Sequence, residues 1–279
     1  MEGNRSRFLT FMLTVGMAFL YIPMILLVIY SFNYSKIVPV WGGWSVRWYA
    51  KLFESEEVWD AVVLSLQIGV VNATVATILG TLAGLAMVRF GRFRGRTLFG
   101  GMLVAPLVMP EVITGLSLLM LFITLKQLIG WPQDRGFTTI TLAHITFSLA
   151  YVAVIIQSRL SGMDESLEEA ALDLGAKPFR VLTDITLPRL APGMMAGWLL
   201  AFTLSLDDLV IASFVTGPGA NTLPILIFSR IRLGLRPDIN ALATIIILTV
   251  AVCVAIAALL MYRQQKKMMR DMQLANRED

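Results

Sequence analysis

The sequence has one cysteine and one histidine among its 279 residues, and only 15% of its residues are charged. The single cysteine, Cys253, excludes an internal disulfide bond and leaves the redox compartment undetermined. The single histidine, His144, has no partner motif with the spacing of a metal site. We therefore expect His144 to pack or to hydrogen-bond between helices, and we expect no metal site in this chain.

The chain also lacks the short motifs of common enzyme sites. It has no Gly-Lys pair, so no P-loop can hold the phosphates of ATP. It has neither an HExxH metal motif nor a G-x-S-x-G nucleophile turn. These absences predict that the chain is not an enzyme and carries no cofactor, so that any ATP and magnesium would bind to a partner subunit.

Apolar residues are abundant instead: 57% of the chain is hydrophobic, and the mean hydropathy is +0.73. Such a composition is typical of a membrane protein. Because backbone groups cannot stay unpaired in lipid, each long apolar run must be a helix that crosses about 30 Å of hydrocarbon. The sequence predicts an all-α integral membrane protein, one domain over 1–279, with spans at 8–32, 61–88, 97–125, 138–158, 190–215 and 239–262.

The loop charges predict the orientation, because cytoplasmic loops retain Lys and Arg. Segments 1–7, 89–96, 159–189 and 263–279 hold 15 such residues, whereas segments 33–60, 126–137 and 216–238, of equal total length, hold 8. Both termini are therefore predicted to be cytoplasmic. This bias also explains the net charge of +4 without nucleic-acid binding; membrane lipid is the expected contact for the basic loops.

Three further features concern packing and the outer surface. Gly80 and Gly84 form a small-xxx-small pair on the second span, which favours close approach of another helix. Pro106 and Pro110 interrupt the hydrogen bonds of the third span, and such a break is tolerated only against protein or a water-lined cavity. Outer loop 33–60 is rich in Trp and Tyr, which predicts an aromatic belt at the headgroups or, alternatively, a cation-binding cage.

The inner loop 159–189, here called the elbow, is the most informative segment. Ser166 to Glu169 has the pattern of a capping box, and Gly175 suits the left-handed residue that ends a helix. Pro178 suits the first turn of a second short helix, which Pro188 is expected to close before the fifth span. Two short amphipathic helices without a core of their own need another surface to bury against.

The elbow also carries a recognisable signature. Glu169-Ala170-Ala171 is followed by three residues, Gly175, nine residues and Ile185-x-Leu187-Pro188, which resembles the signature of permease subunits of binding-protein-dependent ABC importers. The resemblance runs from Phe19 to Thr244. The stretches from Ala105 to Gly115 and from Ser205 to Phe214 are most similar to the polyamine branch, in particular to putrescine-transporter permeases.

The resemblance implies a MetI-like type I importer fold and a bacterial inner-membrane location. It also implies a second, similar permease, two copies of a cytoplasmic ABC ATPase that binds ATP and magnesium, and a periplasmic polyamine-binding protein. The permease would form half of the passage. By position, the residues that couple it to the ATPase would be Leu167, Glu168, Glu169, Ala170, Ala171, Leu174 and Gly175.

Three acidic residues fall within predicted spans. An aspartate near a helix centre costs roughly 2.5–3.5 kcal/mol on an insertion scale, so Glu111, Asp207 and Asp208 require compensation and should not face lipid. The sequence places Glu111 midway along the third span and Asp207 about two-thirds of the way outward along the fifth. Each acid can either line the passage and offset a polyamine's charge or accept hydrogen bonds from neighbouring helices and broken-helix amides.

Other classes of protein account for less of the sequence. An ion-coupled secondary transporter or a channel could share six spans and buried acids, but it would not explain the elbow. A membrane-embedded enzyme would need a catalytic motif. An ABC permease with another small solute as cargo stays open.

The predicted orientation is tested by thiol labelling of whole cells, with native Cys253 replaced by serine. Single cysteines placed in 33–60 should react with a membrane-impermeant reagent, whereas cysteines in 89–96 and 159–189 should be protected. The opposite pattern would contradict a cytoplasmic elbow.

Overall fold

A computed structural model describes residues 2–37, 40–234 and 237–278. Residues 38–39 and 235–236, which belong to two predicted outer loops, lie outside the described residues, as do Met1 and Asp279 of the predicted 1–279 domain. The described residues form helices and one isolated β-bridge between Asn33 and Trp44. This confirms the predicted all-α class.

Twelve α-helices and one π turn follow one another along the described chain. They are α1 (Glu2–Ser31), α2 (Arg47–Phe53), α3 (Glu56–Arg89), α4 (Arg96–Val108), α5 (Glu111–Ile129), α6 (Phe137–Ser161), α7 (Ser166–Asp173), α8 (Pro178–Val181), the π turn (Leu182–Thr186), α9 (Leu187–Asp207), α10 (Val210–Val215), α11 (Leu223–Arg232) and α12 (Pro237–Glu278).

Six helical segments of the described chain are long and apolar enough to cross a membrane, as the sequence predicts. They are Arg7–Ser31, Glu56–Arg89, Glu111–Ile129, Phe137–Ser161, Pro178–Asp207 and Pro237–Ile256. The protein is thus a multi-pass membrane protein. Four segments agree with the predicted runs within a few residues at most ends, but the third and fifth differ.

The third run, 97–125, is not one helix. It divides at Met109 and Pro110 into α4 and α5, and only α5 has membrane-spanning length. Pro110 lacks the N–H that would continue α4, whereas its carbonyl accepts from the N–H groups of Ile113 (2.9 Å) and Thr114 (3.2 Å) at the start of α5. Pro106, by contrast, lies inside α4 without ending it. One of the two prolines therefore breaks the run.

The fifth run, 190–215, is also divided. Helix α9 ends at Asp207, Asp208 has an extended backbone (φ −66°, ψ 120°), and α10 begins at Val210. The sequence gives little warning of this break, because no proline or glycine lies between 198 and 216. At its other end the segment starts earlier than predicted, at Pro178.

The chain forms two compact units, residues 1–56 with 229–279 and residues 57–228. In the first unit, α12 packs against α1 and α2. In the second, α6 packs against α4, α9 and α10, and α10 packs against α5. The single domain expected from the sequence stays a prediction.

Glycines of α3 bring it close to α6, as the small-xxx-small pattern predicts. A Cβ atom at Gly80 would lie 2.7 Å from Cβ of Val152, and one at Gly84 would lie 2.6 Å from Cγ2 of Ile156. The fully buried Asn72 side chain donates to Oγ of Ser148 (3.1 Å) and to the carbonyl of Ala201 (2.9 Å). One amide thus joins α3, α6 and α9.

The glycine contact predicts a specific loss of stability. Gly80→Ala would force Val152 and the backbone N–H of Ala153 away, and overpacking of this kind typically costs about 1–3 kcal/mol. Gly101→Ala is the matched control, since a Cβ there meets nothing within 4 Å and alanine is the better helix former. Thermal unfolding in detergent should show a lower midpoint for Gly80→Ala alone; equal midpoints would contradict the close packing.

Candidate functional site

The elbow contains one regular short helix that ends as the sequence predicts. Gly175 follows α7 with a positive φ of 84°. The N–H of Ala176 donates to the carbonyl of Ala171 (3.0 Å), and the N–H of Gly175 donates to that of Leu172 (2.9 Å). This pair of bonds is a Schellman motif. The left-handed Gly175 therefore sets the direction in which the chain leaves α7.

The start of α7 differs from the predicted capping box. Ser166 is the first helical residue and Glu165 precedes it as N-cap, with no side-chain cap bond. The carboxylate of Asp164 accepts instead, from the N–H (3.0 Å) and hydroxyl (2.8 Å) of Ser166. These two hydrogen bonds lower the pKa of Asp164 below its ordinary value.

The second half of the elbow is continuous with the fifth span. Pro178 occupies the first turn of α8, as predicted, but Pro188 does not close a separate short helix. The chain passes from α8 through the π turn into α9. Pro188 has no N–H for the carbonyl of Asp184, and the wider π turn lies directly before it and accommodates this missing bond. The elbow is therefore one short helix joined by a turn to an extended fifth helix.

Most of the proposed coupling residues lie on the outside of the elbow. None of the residues of α7 is buried. Leu167 is 53% exposed and Leu174 89% exposed, and Phe179 of α8 is 74% exposed. Glu169, Ala170 and Gly175 are also exposed, and Ala171 is half-buried. The elbow thus presents several large apolar side chains that the chain itself does not cover.

Glu168 is the exception, because its side chain turns toward the protein. Its Oε1 atom accepts from Nη2 of Arg89 (3.2 Å) and from the Thr186 hydroxyl (3.1 Å). Arg89 also pairs with Glu165. In the sequence, Arg89 is recognisable only as one of the charges that set the topology. Its pairing follows from the fold, since the two carboxylates lie 76 and 79 positions away.

The three acids of the predicted passage all lie at helix breaks. The sequence predicts Glu111 midway along a span. In the structure it is instead the exposed first residue of α5. A carboxylate at this position is stabilised by the partial positive charge of the helix N-terminus. Asp207 likewise lies not within a continuous helix but at the end of α9, where it is exposed.

Asp208 joins the two sides of the second break through hydrogen bonds. Its carboxylate accepts from the N–H groups of Ile211 (3.2 Å) and Ala212 (2.7 Å), in the first turn of α10. Nε2 of His144 lies 3.0 Å from the same carboxylate, and Nδ1 lies 2.7 Å from Oγ of Ser205. A neutral His144 with its proton on Nε2 satisfies both bonds. The predicted interhelical role of His144 is confirmed.

The two breaks are brought together by the packing of α5 on α10. A Cβ atom at Gly115 would lie 2.7 Å from the Phe214 ring and 3.3 Å from Cα of Ile211. Glu111 and Asp207 each precede this contact by four residues. The structure thus places the acidic ends of two interrupted helices in the same region of the 57–228 unit.

Two rings of the aromatic loop already hold a cation of the chain itself. The guanidinium of Arg47 lies over the rings of Tyr34 (4.6 Å) and Trp48 (4.3 Å), and Nε1 of Trp48 donates to the carbonyl of Asn33 (2.7 Å). The faces of Tyr34 and Trp48 are thus engaged by Arg47, which favours the predicted aromatic belt over a cation-binding cage at these two rings. The described residues also contain no cluster of three or more His, Cys, Asp or Glu side chains placed to hold a metal ion.

Comparison with known proteins agrees with this geometry. Residues 76–270 match the family model for the binding-protein-dependent transport system inner membrane component. The putrescine transport system permease protein PotI of Escherichia coli K12 is 59% identical over 273 residues, which cover 98% of this chain and 97% of the relative. The spermidine/putrescine permease PotC of the same strain is 41% identical, covering 91% and 94%.

Solved structures share the fold at lower identity. A chain of a bacterial ABC transporter that imports the acidic polysaccharide alginate matches with a TM-score of 0.70 and 21% identity, covering 94% of this chain and 96% of that one. A chain of the methionine transporter MetNI matches with a TM-score of 0.56 and 14% identity, covering 72% and 90%. The family match over most of the chain and the full-length relatives lead to one conclusion: this protein belongs to the inner membrane components of binding-protein-dependent transport systems.

Proposed function

We propose that this chain is a permease subunit of an ATP-driven polyamine importer, with putrescine as its cargo. The elbow carries the proposal: its helix α7 ends in a Schellman motif and has no buried residue, and the elbow offers Leu167, Leu174 and Phe179 to a surface outside the chain. A docking partner removes this apolar surface from water. The 59% identity to a putrescine permease supports the choice of cargo.

The remaining parts of the importer are other chains. A second, similar permease forms the other half of the passage, a periplasmic binding protein delivers putrescine, and two copies of a cytoplasmic ABC ATPase dock on the elbows. ATP and magnesium bind to the ATPase, since this chain has no P-loop sequence. Both termini of the permease lie in the cytoplasm, on the side of the Arg-rich segment 89–96.

The passage runs along the two helix breaks. Interrupted helices at membrane depth are tolerated where they line a cavity, and transporters use such half-helix ends as binding sites. We assign different roles to the neighbouring aspartates. Asp208 holds the break in shape through His144 and the α10 amides, whereas the exposed Asp207 and Glu111 meet the ammonium groups of the polyamine.

Coupling is tested at the end of α7. Gly175→Val places a β-branched residue at φ +84°, where non-glycine residues cost about 1–3 kcal/mol, and the strain changes the direction of the helix exit. Putrescine uptake and putrescine-stimulated ATP hydrolysis by the assembled complex should both fall, while membrane insertion is unchanged.

The matched pair Gly175→Ala and Gly162→Ala separates backbone strain from added volume. A Cβ at Gly175 meets nothing within 4 Å, and at Gly162, where φ is −94°, it meets carbonyl oxygens only at 3.8 Å. Gly175→Ala should reduce stimulation and Gly162→Ala should not. Normal stimulation in Gly175→Val would remove this residue from the coupling role.

The assignment of the acids is tested with neutral replacements of similar shape. Asp207→Asn and Glu111→Gln should assemble normally and raise the apparent KM for putrescine. Asp208→Asn should lower the amount of assembled complex, because loss of a hydrogen bond to a charged group costs about 1.5–3 kcal/mol. Uptake is measured together with the quantity of complex in the membrane.

Asp207→Asn and Asp208→Asn serve as controls for each other, since each variant removes one negative charge and the two positions are adjacent. An unchanged KM for assembled Asp207→Asn would exclude a cation site at Asp207. Full assembly of Asp208→Asn together with a raised KM would reverse the two roles. Uptake of another small solute in preference to putrescine would retain the permease but change the cargo.

A further inference from the structure

Ion pairs connect the elbow to α3, a helix that is distant from it in sequence. Arg89, the last residue of α3, pairs with Glu165, immediately before α7, and through Nη2 with Glu168 in its first turn. Glu168 also accepts from the hydroxyl of Thr186 in the π turn. Four charged or polar side chains therefore join α3, the start of α7 and the base of α9.

The inner part of this junction is sheltered from solvent. The side chains of Arg89 and Glu168 are 15% and 14% exposed, respectively, whereas that of Glu165 is 59% exposed. Thr186 is buried. Screening by water and salt is weaker for sheltered ion pairs than for those on a protein surface, so the Arg89–Glu168 contact holds its geometry more firmly than an exposed pair.

The neighbouring arginines show that this arrangement is specific to one position. Arg92 and Arg94 are exposed, and Arg96 donates to the carbonyl of Met87 (2.9 Å). Of the four arginines in segment 89–96, Arg89 is thus the one that reaches the elbow through these ion pairs. The positive-inside rule accounts for a charge at Arg89 but not for its ion pairs with two carboxylates.

The two elements that Arg89 joins differ in how firmly they are held. Helix α7 buries none of its residues, and turns at Gly162 and Gly175 flank it. Helix α3 has 34 residues, which is about 50 Å of rise, and its glycines lie tightly against α6. The ion pairs of Arg89 therefore connect the loosely held α7 to a long, well-packed helix.

We propose that Arg89 is a positioning residue that transmits movement of α7 to the membrane-spanning helices, acting through Glu165 and Glu168. This inference rests on the proposed function, in which α7 docks on an ATPase. Glu168 accordingly belongs to the transmitting side of the elbow, and the exposed residues of α7 belong to its docking side. The α3 end and the π turn then move with α7 as one body during the transport cycle.

The test measures ATP hydrolysis by the reconstituted complex, with and without putrescine and its binding protein. Arg89→Gln removes both ion pairs, and Arg89→Lys keeps the charge without the planar fork that reaches two carboxylates. The ratio of stimulated to basal hydrolysis per assembled complex should fall about fivefold or more in Arg89→Gln and less in Arg89→Lys. Arg92→Gln, an exposed arginine of the same segment, should keep the wild-type ratio.

A purely structural role for Arg89 would lower the amount of complex but leave this ratio intact. If Arg89→Gln fails to assemble, Glu165→Gln combined with Glu168→Gln removes the same pairs while keeping Arg89, and the ratio should again fall. A wild-type ratio in assembled Arg89→Gln, or in the assembled Glu165→Gln/Glu168→Gln double variant, overturns this inference but leaves the proposed function intact. Absence of stimulation in the unaltered complex overturns the proposed function and the inference with it.

Discussion

Hydrocarbon offers no hydrogen-bond partner to a peptide backbone, and this constraint governs where the helices of the protein can be interrupted. The break between α9 and α10 leaves N–H groups that have no carbonyl acceptor in a preceding helical turn. The carboxylate of Asp208 accepts two of them and is itself held by His144, which is in turn held by Ser205. The chain's single histidine is thus part of the arrangement that makes the break possible.

Small residues and buried polar groups have complementary tasks in this membrane protein. Apolar surface gives little drive for helix association in lipid, so close packing and hydrogen bonds must supply it. Gly80 and Gly84 let α3 approach α6, and the Asn72 amide then reaches both α6 and α9. Thr139 similarly bonds to the carbonyl of Val215 (2.8 Å), which ties α6 to α10. The breaks therefore lie on a firmly packed set of helices.

Helix α7 follows the opposite rule, since it buries none of its residues and is joined to α3 by ion pairs. Its shape comes from local backbone chemistry: Gly175 fixes the exit and Asp164 fixes the entry. Its connection to the membrane helices comes from Arg89, Glu168 and Thr186. A segment built in this way keeps its form while leaving one side available to a partner.

The sequence by itself determined the all-α membrane class, the approximate spans, the glycine contact and the left-handed Gly175, because each depends on local composition or on one residue's backbone preference. It also indicated the break at Pro110, where an N–H is missing. Only the tertiary structure decided that Pro106 stays helical, that α9 ends at Asp207, and that Arg89 meets Glu168. The last two features depend on residues 64 and 79 positions apart, and no pattern within a helical window records which distant side chain will satisfy a free amide or a charge.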